Sequence, residues 1–286
     1  MRKVEPLSEQ GTAELAEPLR EIQRFALALL QEAGAMALRM QRTLSWDRKP
    51  DRTFVTNADL AVQSLIRERI LAHYPQHLVL GEEDTEGVEK AASRGYPGVW
   101  IVDPIDGTDS YLRQIPAWAI CLGLALEDQP TFGAVYLPDS HELFYAFVGG
   151  KAYRNGHEIH IEPSEGIGED SMLLLTSTAH RYAEVDFPGR VRSYGCTAAH
   201  LCYVASGKVD AALIAGVQVW DLFAAGLVLR AAGGDMYQVS GEPIDLMELV
   251  RSGERTSVLI AGRSNVVQPV LGQVRPRRRK ASPSTG

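Results

Sequence analysis

The amino-acid sequence predicts a layered fold of mixed α and β structure, of the α+β or α/β class. Three observations predict it: helical spacing of apolar residues near the N-terminus, short β-rich runs in the middle, and alternating helices and strands towards the C-terminus. We expect four parts along the chain: an N-terminal extension (1–14), an α+β subdomain with a largely antiparallel sheet (15–162), an α/β subdomain (163–273) and a basic, disordered tail (274–286).

Two helices are expected first. From Thr12 to Thr43 the apolar residues recur every three or four positions, which predicts a long helix facing the core. A polar loop over 45–52 follows, and Asn57 begins a second amphipathic helix. Thr56 and Asp59 have the spacing of a capping box, in which each side chain accepts a hydrogen bond from the other residue's backbone N–H. This pair predicts that the second helix starts at Asn57.

Strands dominate from Leu78 onward. The β-rich runs are LVLGEE, GVWIVDP, WAICLGLALED, TFGAVYLP and ELFYAFVGGKAYRNGHEIHI. Brief turns at Glu127 and Asn155 join several of them, which predicts a mainly antiparallel sheet. After Pro163 we expect strands at SMLLLTST, VRSYG and SVLIAGR, and helices over 197–206, 221–232 and 264–273.

Composition excludes several classes of protein. The chain has 286 residues, 45% of them hydrophobic, which suffices for a large core. Its net charge is −7 although RPRRRK (275–280) is basic, which argues against a nucleic-acid groove. No apolar run reaches the ~18 residues of a membrane span, and the N-terminus is too polar for a secretory signal. We therefore expect a cytoplasmic protein without nucleic-acid or membrane partners. Its three cysteines form no C-x-x-C pair, which indicates reduced thiols.

The stretch GVWIVDPIDGTDSY, residues 98–111, places three aspartates after an apolar run. Asp103 precedes a proline and should close an extended strand, and Asp106 follows in a sharp turn, so two carboxylates point into a common space. The next backbone N–H groups, of Gly107 and Thr108, are free to attract an anion. Carboxylates beside such amides suit a divalent cation that bridges the protein to a phosphate.

Two more carboxylates are positioned to help. Glu82 follows the predicted strand of VLGEED, and Asp221 stands where a predicted helix begins in VQVWDLFAAG. Either residue alone would be an ordinary surface charge or helix cap. Since every candidate ligand is an oxygen, the set favours Mg²⁺ or a similar hard cation.

Two other uses of the aspartates do not fit the sequence. An EF-hand loop requires glutamate at its twelfth position, which is Gln114 here. A phosphatase that forms an aspartyl phosphate requires aspartate two residues before Asp106, where Pro104 stands. The nucleophile is therefore expected to be water.

Four motifs resemble the ordered signature of the inositol monophosphatase superfamily, whose members are Mg²⁺-dependent and often lithium-sensitive phosphatases. They are Asp59 in TNAD, GEE at 81–83, DPIDGT at 103–108 and WDLFAAG at 220–226, and the resemblance covers about residues 15–270. It implies an inositol monophosphatase-like α/β/α/β/α sandwich, two or three Mg²⁺ ions per active site, and a homodimer.

The resemblance also implies the metal ligands. Glu82, Asp103 and the carbonyl oxygen of Ile105 would bind the first ion. Asp103, Asp106 and Asp221 would bind the second, so that Asp103 bridges the two. In two-metal sites with ions ~3.5–4 Å apart, one ion activates water and the other stabilises the leaving oxygen.

Catalytic and phosphate-binding roles follow from the same resemblance. Thr108, with Glu82 and Asp59 nearby, would orient the attacking water. The backbone amides of Gly107 and Thr108 would hold phosphate oxygens, with Asp106 beside the substrate.

The expected substrate-binding residues depart from the family pattern. SYGCTAAHLC (193–202) resembles a substrate-lining turn that includes Gly195, but Cys196 replaces the usual threonine and Thr197 the usual alanine. Ile214 stands where inositol-preferring members carry a glutamate that accepts hydrogen bonds from ring hydroxyls. Because isoleucine cannot accept one, the resemblance does not imply strict inositol specificity.

Basic residues offer either ordinary surface charge or contacts to a second phosphate of the substrate. The candidates are Arg48, Lys49, Arg181, Arg190 and Arg192.

We predict a Mg²⁺-dependent phosphomonoesterase that hydrolyses a small polyol or sugar phosphate, such as inositol 1-phosphate, with metal-activated water. Fructose-1,6-bisphosphatase and histidinol-phosphatase are alternatives with the same chemistry. A non-catalytic regulator that binds a metal or a phosphorylated ligand is the alternative from another class.

Overall fold

The computed structural model describes residues 16–50, 53–84, 95–162 and 166–276. Within these ranges the chain forms seven α-helices: α1 (Glu17–Met40), α2 (Asn57–His73), α3 (Thr108–Leu112), α4 (Thr197–Ala205), α5 (Val219–Ala231), α6 (Leu246–Ser252) and α7 (Ser264–Leu271). The predicted N-terminal extension, 1–14, lies outside the described residues.

The strands of the same ranges form four sheets. They are β1 (Trp46–Arg48), β2 (Phe54–Thr56), β3 (Leu78–Gly81), β4 (Gly98–Asp106), β5 (Ala119–Leu126), β6 (Gln129–Leu137), β7 (Glu142–Phe147), β8 (Ala152–Arg154), β9 (His157–Ile159), β10 (Met172–Leu175), β11 (Ala183–Val185), β12 (Arg190–Arg192), β13 (Ala211–Ala215), β14 (Asp235–Gln238), β15 (Val258–Gly262) and β16 (Val274–Pro276).

Helices α1 and α2 form one outer layer. Helix α2 begins at Asn57 because the predicted capping box is present. The Thr56 hydroxyl accepts the backbone N–H of Ala58 at 3.1 Å and that of Asp59 at 3.3 Å. In return, Asp59 Oδ2 accepts the backbone N–H of Thr56 at 2.9 Å. This confirms the predicted start of the helix.

The large sheet has the strand order β3-β4-β5-β6-β7-β8-β9. Strands β3 and β4 are parallel, and all the other neighbours are antiparallel, as the short turns predicted. Side chains alternate between the two faces. In β5, Ile120 and Leu122 pack in the core shared with α1 and α2, whereas Cys121 packs in the core on the opposite face. Both faces of the sheet are therefore buried at this strand.

Helices α4 and α5 lie between the large sheet and a smaller one. Helix α5 approaches the large sheet closely, because a Cβ at Gly133 would lie 2.4 Å from the carbonyl oxygen of Ala224. The smaller sheet has the order β12-β10-β13-β15-β14, and α7 packs on its outer face through Val267 and Val270. The layers alternate helices, sheet, helices, sheet and helix, which confirms the predicted α/β/α/β/α sandwich.

The C-terminal boundary differs from the prediction. Strand β16 pairs antiparallel with β11, and Val274 is buried in the core on the outer face of the smaller sheet. The predicted disordered tail was therefore wrong for residues 274–276, and residues 277–286 lie outside the described part of the chain. The predicted subdomain boundary at 162/163 stays a prediction. In the described residues, no helix combines the length and apolar character needed to cross a membrane.

Candidate active site

Three of the predicted metal ligands lie at the carboxyl ends of β3 and β4. Because these strands are parallel neighbours, with Gly81 opposite Val102, their carboxyl ends meet at one edge of the sheet. The backbone N–H of Glu82 continues the ladder by donating to the carbonyl oxygen of Val102 at 3.1 Å. Asp103 and Asp106 follow on β4. Residues from two adjacent strands thus reach the same region.

Asp221 completes an acidic cluster from the other side. It lies in the first turn of α5, where its Oδ2 accepts the backbone N–H of Gln218 at 2.6 Å. One carboxylate oxygen from each of Asp103, Asp106 and Asp221 lies within 4.8 Å of the other two. The structure therefore brings together the three predicted ligands of the second metal ion.

The acidic cluster has the buried oxygen atoms that a hard cation would need as ligands. Asp103 is fully buried, and its Oδ1 accepts the backbone N–H of Ile105 at 3.0 Å. Its Oδ2 is also buried but has no hydrogen-bond partner among the described residues. A buried carboxylate oxygen needs a donor or a cation. An all-oxygen set around this atom suits Mg²⁺.

Burial makes the carboxyl groups hard to ionise without a cation. It raises the pKa of Glu82 and of Asp221 to about 7, and that of Asp106 to about 6. Burial also raises the pKa of Asp103 well above its ordinary value, and the charge of Glu82 adds to the effect. A divalent cation would offset both causes, since it neutralises the charges and replaces the missing water.

Glu82 lies at the edge of this cluster, bound to a lysine. Lys49 Nζ lies 2.8 Å from Glu82 Oε1 and 2.7 Å from Glu83 Oε1. Burial of Lys49 lowers its pKa, but the two glutamates outweigh burial and raise it overall. Lys49 was a candidate for a second substrate phosphate, but here it neutralises carboxylates. The role of Glu82 as a ligand of the first metal ion stays a prediction.

Thr108 and Asp59 form a connected pair beside the cluster. The Thr108 hydroxyl lies 3.0 Å from the carbonyl oxygen of Ile105 and 3.2 Å from Asp59 Oδ1. Asp59 is fully buried, and burial raises its pKa to about 6. The hydroxyl has one proton to donate and keeps lone pairs that can accept a hydrogen bond from water. The structure thus brings together Thr108 and Asp59, two of the three residues predicted to orient the nucleophile, and the part of Glu82 in this role stays a prediction.

The predicted substrate-lining turn meets the cluster through Asp106. Its Oδ2 accepts hydrogen bonds from Cys196 Sγ at 3.1 Å and from the backbone N–H of Ala198 at 2.5 Å. Its Oδ1 accepts the backbone N–H of Thr197 at 3.2 Å. The sequence indicated a helix start at 197 but not that its amides would bind Asp106. The contact of Ala198 was therefore missed.

Glycines at two positions allow the turn to approach β4. Gly107 has φ +88°, and a Cβ there would lie 2.9 Å from the carbonyl oxygen of Gly195. Gly195 has φ +78°, and a Cβ there would lie 2.7 Å from Ser110 Oγ. A side chain at Gly107 would push the two segments apart, whereas one at Gly195 would displace the Ser110 hydroxyl. Ser110 lies in α3 and was not among the predicted site residues.

Ile214 lies in β13 and is fully buried in the core between the two sheets. It has no accessible surface in the structure as described, and its side chain contributes no acceptor. Its role as a substrate-lining residue stays a prediction.

Most of the candidate cations have partners away from the acidic cluster. Arg190 lies 3.4 Å from Asp170, and Arg48 stacks on the ring of Phe54 at 4.7 Å. Arg192 is exposed on β12 and donates to the carbonyl oxygen of Val191 at 2.9 Å, and Arg181 is exposed in a short 3₁₀ helix that spans residues 179–181.

The structure reveals another cation, Arg255, that the sequence did not single out. Its Nη1 donates to the carbonyl oxygen of Gly216 at 3.3 Å. Gly216 lies in the segment between β13 and the start of α5, which carries Asp221. Burial raises the pKa of Asp221, and the charge of Arg255 opposes this effect. No local pattern distinguishes Arg255 from other exposed arginines.

Comparisons with known proteins agree with this geometry. A family model described as "Inositol monophosphatase family" matches residues 18–265. Inositol monophosphatase 1 of Rattus norvegicus is 29% identical over 249 residues, 82% of this chain and 89% of the relative. The fructose-1,6-bisphosphatase/inositol-1-monophosphatase of Aquifex aeolicus is 31% identical over 217 residues, 71% of this chain and 79% of the relative.

A solved structure, that of an IMPase/NADP phosphatase complexed with Mg²⁺ and phosphate, superposes with a TM-score of 0.77. The two sequences are 22% identical, and the match covers 90% of this chain and 95% of that one. At this identity the likeness concerns the fold.

Proposed function

Because this chain belongs to the inositol monophosphatase family and is a phosphatase, we propose that it hydrolyses a small polyol or sugar phosphate such as inositol 1-phosphate, with Mg²⁺ as its cofactor. The observation that carries the proposal is the meeting of Asp103, Asp106 and Asp221 within 4.8 Å, with a buried oxygen of Asp103 left for a cation. Membership of a phosphatase family favours this reading over a non-catalytic regulator.

Asp103, Asp106 and Asp221 would hold one ion, and Glu82 with the carbonyl oxygen of Ile105 would complete a second site with Asp103. When bound, Mg²⁺ supplies charge neutralisation for the incoming phosphate and acidifies water. Two or three ions per site are proposed by family resemblance. The protein must deliver these carboxylates in ionised form, and their raised pKa values make that dependent on pH.

Thr108 and Asp59 would orient the attacking water. Asp59, with a pKa of about 6, is mostly ionised at neutral pH and accepts a hydrogen bond from Thr108. A hydroxyl that donates to Asp59 or to the carbonyl oxygen of Ile105 presents its lone pairs outward, where they accept a proton of water. Water held in this way has an oxygen lone pair free for the phosphorus.

Phosphate oxygens would lie against the backbone N–H groups of Gly107 and Thr108 at the start of α3. Gly107 has the positive φ that lets these amides turn away from β4. The turn of Gly195, Cys196 and Thr197 would form one wall of the substrate site, since it contacts Asp106 directly.

The experiment is phosphate release with and without Mg²⁺ on inositol 1-phosphate, fructose 1,6-bisphosphate and histidinol phosphate, with Asp221→Asn as the blank. We expect Mg²⁺-dependent release of at least one substrate, with loss of nearly all activity in the variant. Equal release from the wild type and from Asp221→Asn would contradict the assignment.

A second candidate substrate class carries another anionic group, as fructose 1,6-bisphosphate does. Arg255 favours it, because its guanidinium binds the carbonyl oxygen of Gly216 just before the helix that carries Asp221, while the adjoining strand offers the apolar Ile214 instead of an acceptor for a hydroxyl group. We expect Arg255→Gln to raise the KM for the bisphosphate about tenfold while the KM for inositol 1-phosphate changes less than twofold. Arg190→Gln is the control, since Arg190 pairs with Asp170. Equal effects on both substrates would argue against this class.

Assembly, inhibition and cellular location are further proposals. By family resemblance we propose a homodimer that lithium inhibits, located in the cytoplasm. Size-exclusion chromatography with light scattering tests the first property, a LiCl titration of phosphate release the second, and microscopy of a tagged chain the third.

A further inference from the structure

A buried histidine that the proposed chemistry does not use follows residues 194–197, the part of the substrate-lining turn that contacts β4 and Gly107. His200 is in α4, close in sequence to the residues that contact Asp106, and is fully buried. It is not part of the acidic cluster. A buried imidazole with no catalytic contact needs another reason to be there.

The hydrogen bonding of His200 defines which of its ring nitrogens carries the proton. Its Nε2 lies 3.1 Å from the backbone nitrogen of Tyr194, which can only donate. Nε2 must therefore be unprotonated, and the ring proton is on Nδ1. Nδ1 has no hydrogen-bond partner among the described residues. Burial lowers the pKa of His200 to about 4, so the ring is neutral and keeps its acceptor at neutral pH.

The amide that His200 holds belongs to the turn that reaches the active site. Tyr194 directly precedes Gly195, whose carbonyl oxygen lies against Gly107 in the DPIDGT motif. The ring of Tyr194 also rests on α4, with ring centres 6.3 Å from His200 and 5.8 Å from Tyr203. The turn therefore has one side on β4 and the other on α4.

The turn is fixed by two sets of contacts, one to Asp106 and one to His200, and they fix different residues of the turn. The amides of Thr197 and Ala198 bind Asp106 and belong to α4, so they stay in place with the helix. Tyr194 and Gly195 lie before the helix and depend on separate contacts. Among the described residues, the backbone N–H of Tyr194 donates its hydrogen bond to His200 Nε2.

We propose that His200 is a positioning residue: its Nε2 holds the Tyr194 amide and thereby sets the position of Gly195 on the wall of the substrate site. The imidazole does not touch the phosphate ester. Loss of the acceptor frees Tyr194 and Gly195 while leaving Asp106 on the helix amides. Substrate binding should then weaken more than turnover at saturation.

Three variants test this role. His200→Leu removes the acceptor but keeps an apolar side chain, and His200→Gln restores an acceptor near the position of Nε2. Val204→Ala is the control for general destabilisation, because Val204 is fully buried in the same helix and is not in the turn. We expect His200→Leu to raise the KM for inositol 1-phosphate about tenfold with kcat within twofold to threefold of the wild type. His200→Gln should recover most of the KM, and Val204→Ala should lower the melting temperature with an unchanged KM.

Amide exchange gives a readout that does not depend on the substrate. This matters because the kinetic prediction rests on the proposed function, whereas exchange at Tyr194 does not. We expect the Tyr194 amide to exchange at least tenfold faster in His200→Leu than in the wild type, and to be protected again in His200→Gln. Unchanged exchange in His200→Leu, or an equal rise in KM in Val204→Ala, would overturn the proposal. If Tyr194 exchanges faster in His200→Leu but neither the wild type nor any variant has phosphatase activity, the proposed function is rejected. The role of His200 in holding the Tyr194 amide would then still stand.

Discussion

Removing one acidic ligand should stabilise the metal-free protein. Burial, with the charge of Asp106, raises the pKa of Asp221 from its ordinary value of 3.8 to about 7. A shift of about 3 units at 1.36 kcal/mol per unit is ~4 kcal/mol of unfavourable free energy when the group is ionised. Asp221 is partly exposed, so solvent screening reduces the figure to ~2 kcal/mol. Asp221→Asn removes this cost and keeps an oxygen that accepts the Gln218 amide.

The sign of the pH dependence follows from the same shift. A carboxyl group with a raised pKa binds more protons in the folded than in the unfolded protein between pH ~4 and ~7, so metal-free stability falls as pH rises through this range. The gain from Asp221→Asn should therefore be larger at pH 8 than at pH 5. With Mg²⁺ the order should reverse, since the ion that Asp221 helps to hold, at 100 times its Kd, stabilises the wild type by ~2.7 kcal/mol and is lost from the variant.

The assay is urea unfolding of both proteins at pH 5 and pH 8, in EDTA and in excess Mg²⁺. Asp245→Asn is a matched control, because Asp245 caps α6 through the amides of Met247 and Glu248. This control should respond to Mg²⁺ as the wild type does. If Asp221→Asn is less stable than the wild type in EDTA at pH 8, or gains as much from Mg²⁺, the electrostatic reasoning is refuted.

Substitutions at three more positions test the geometry of the site and the core. Gly107→Ala should lower stability by ~1–3 kcal/mol and phosphate release at least tenfold, because φ is +88° and Gly195 lies 2.9 Å from the added atom. Wild-type melting and activity would show that the segments can separate freely. Thr108→Ala should lower kcat about 100-fold while Thr108→Ser keeps most of it, with the Mg²⁺-induced melting shift unchanged in both. Equal rates for the two variants would exclude a role for the hydroxyl. Gly133→Ala should cost ~2 kcal/mol in urea unfolding, since its Cβ would lie 2.4 Å from Ala224, and should leave the Mg²⁺ titration midpoint unchanged. A stable variant would mean that α5 can move away from the sheet.

Local features of this protein were predictable from the sequence. The capping box of Thr56 and Asp59 involves atoms three residues apart, so its sequence pattern predicts the start of α2 directly. Strand β5 is an almost continuous apolar run, and such a run predicts a strand that is buried on both faces. The carboxylates of Asp103 and Asp106 share a strand end, so their proximity also depends on a few dihedral angles.

The tertiary structure decided which distant groups meet. Asp106 receives the amides of Thr197 and Ala198 because the middle helix layer packs against the large sheet, and no local pattern encodes that approach. The same holds for the ion pair between Lys49 and Glu82 and for the pairing of β16 with β11. Periodicity specifies which face of an element is buried, but the partner of that face depends on how all the layers pack together. The sequence by itself therefore determined the chemistry of the carboxylates, and packing determined which groups hold and surround them.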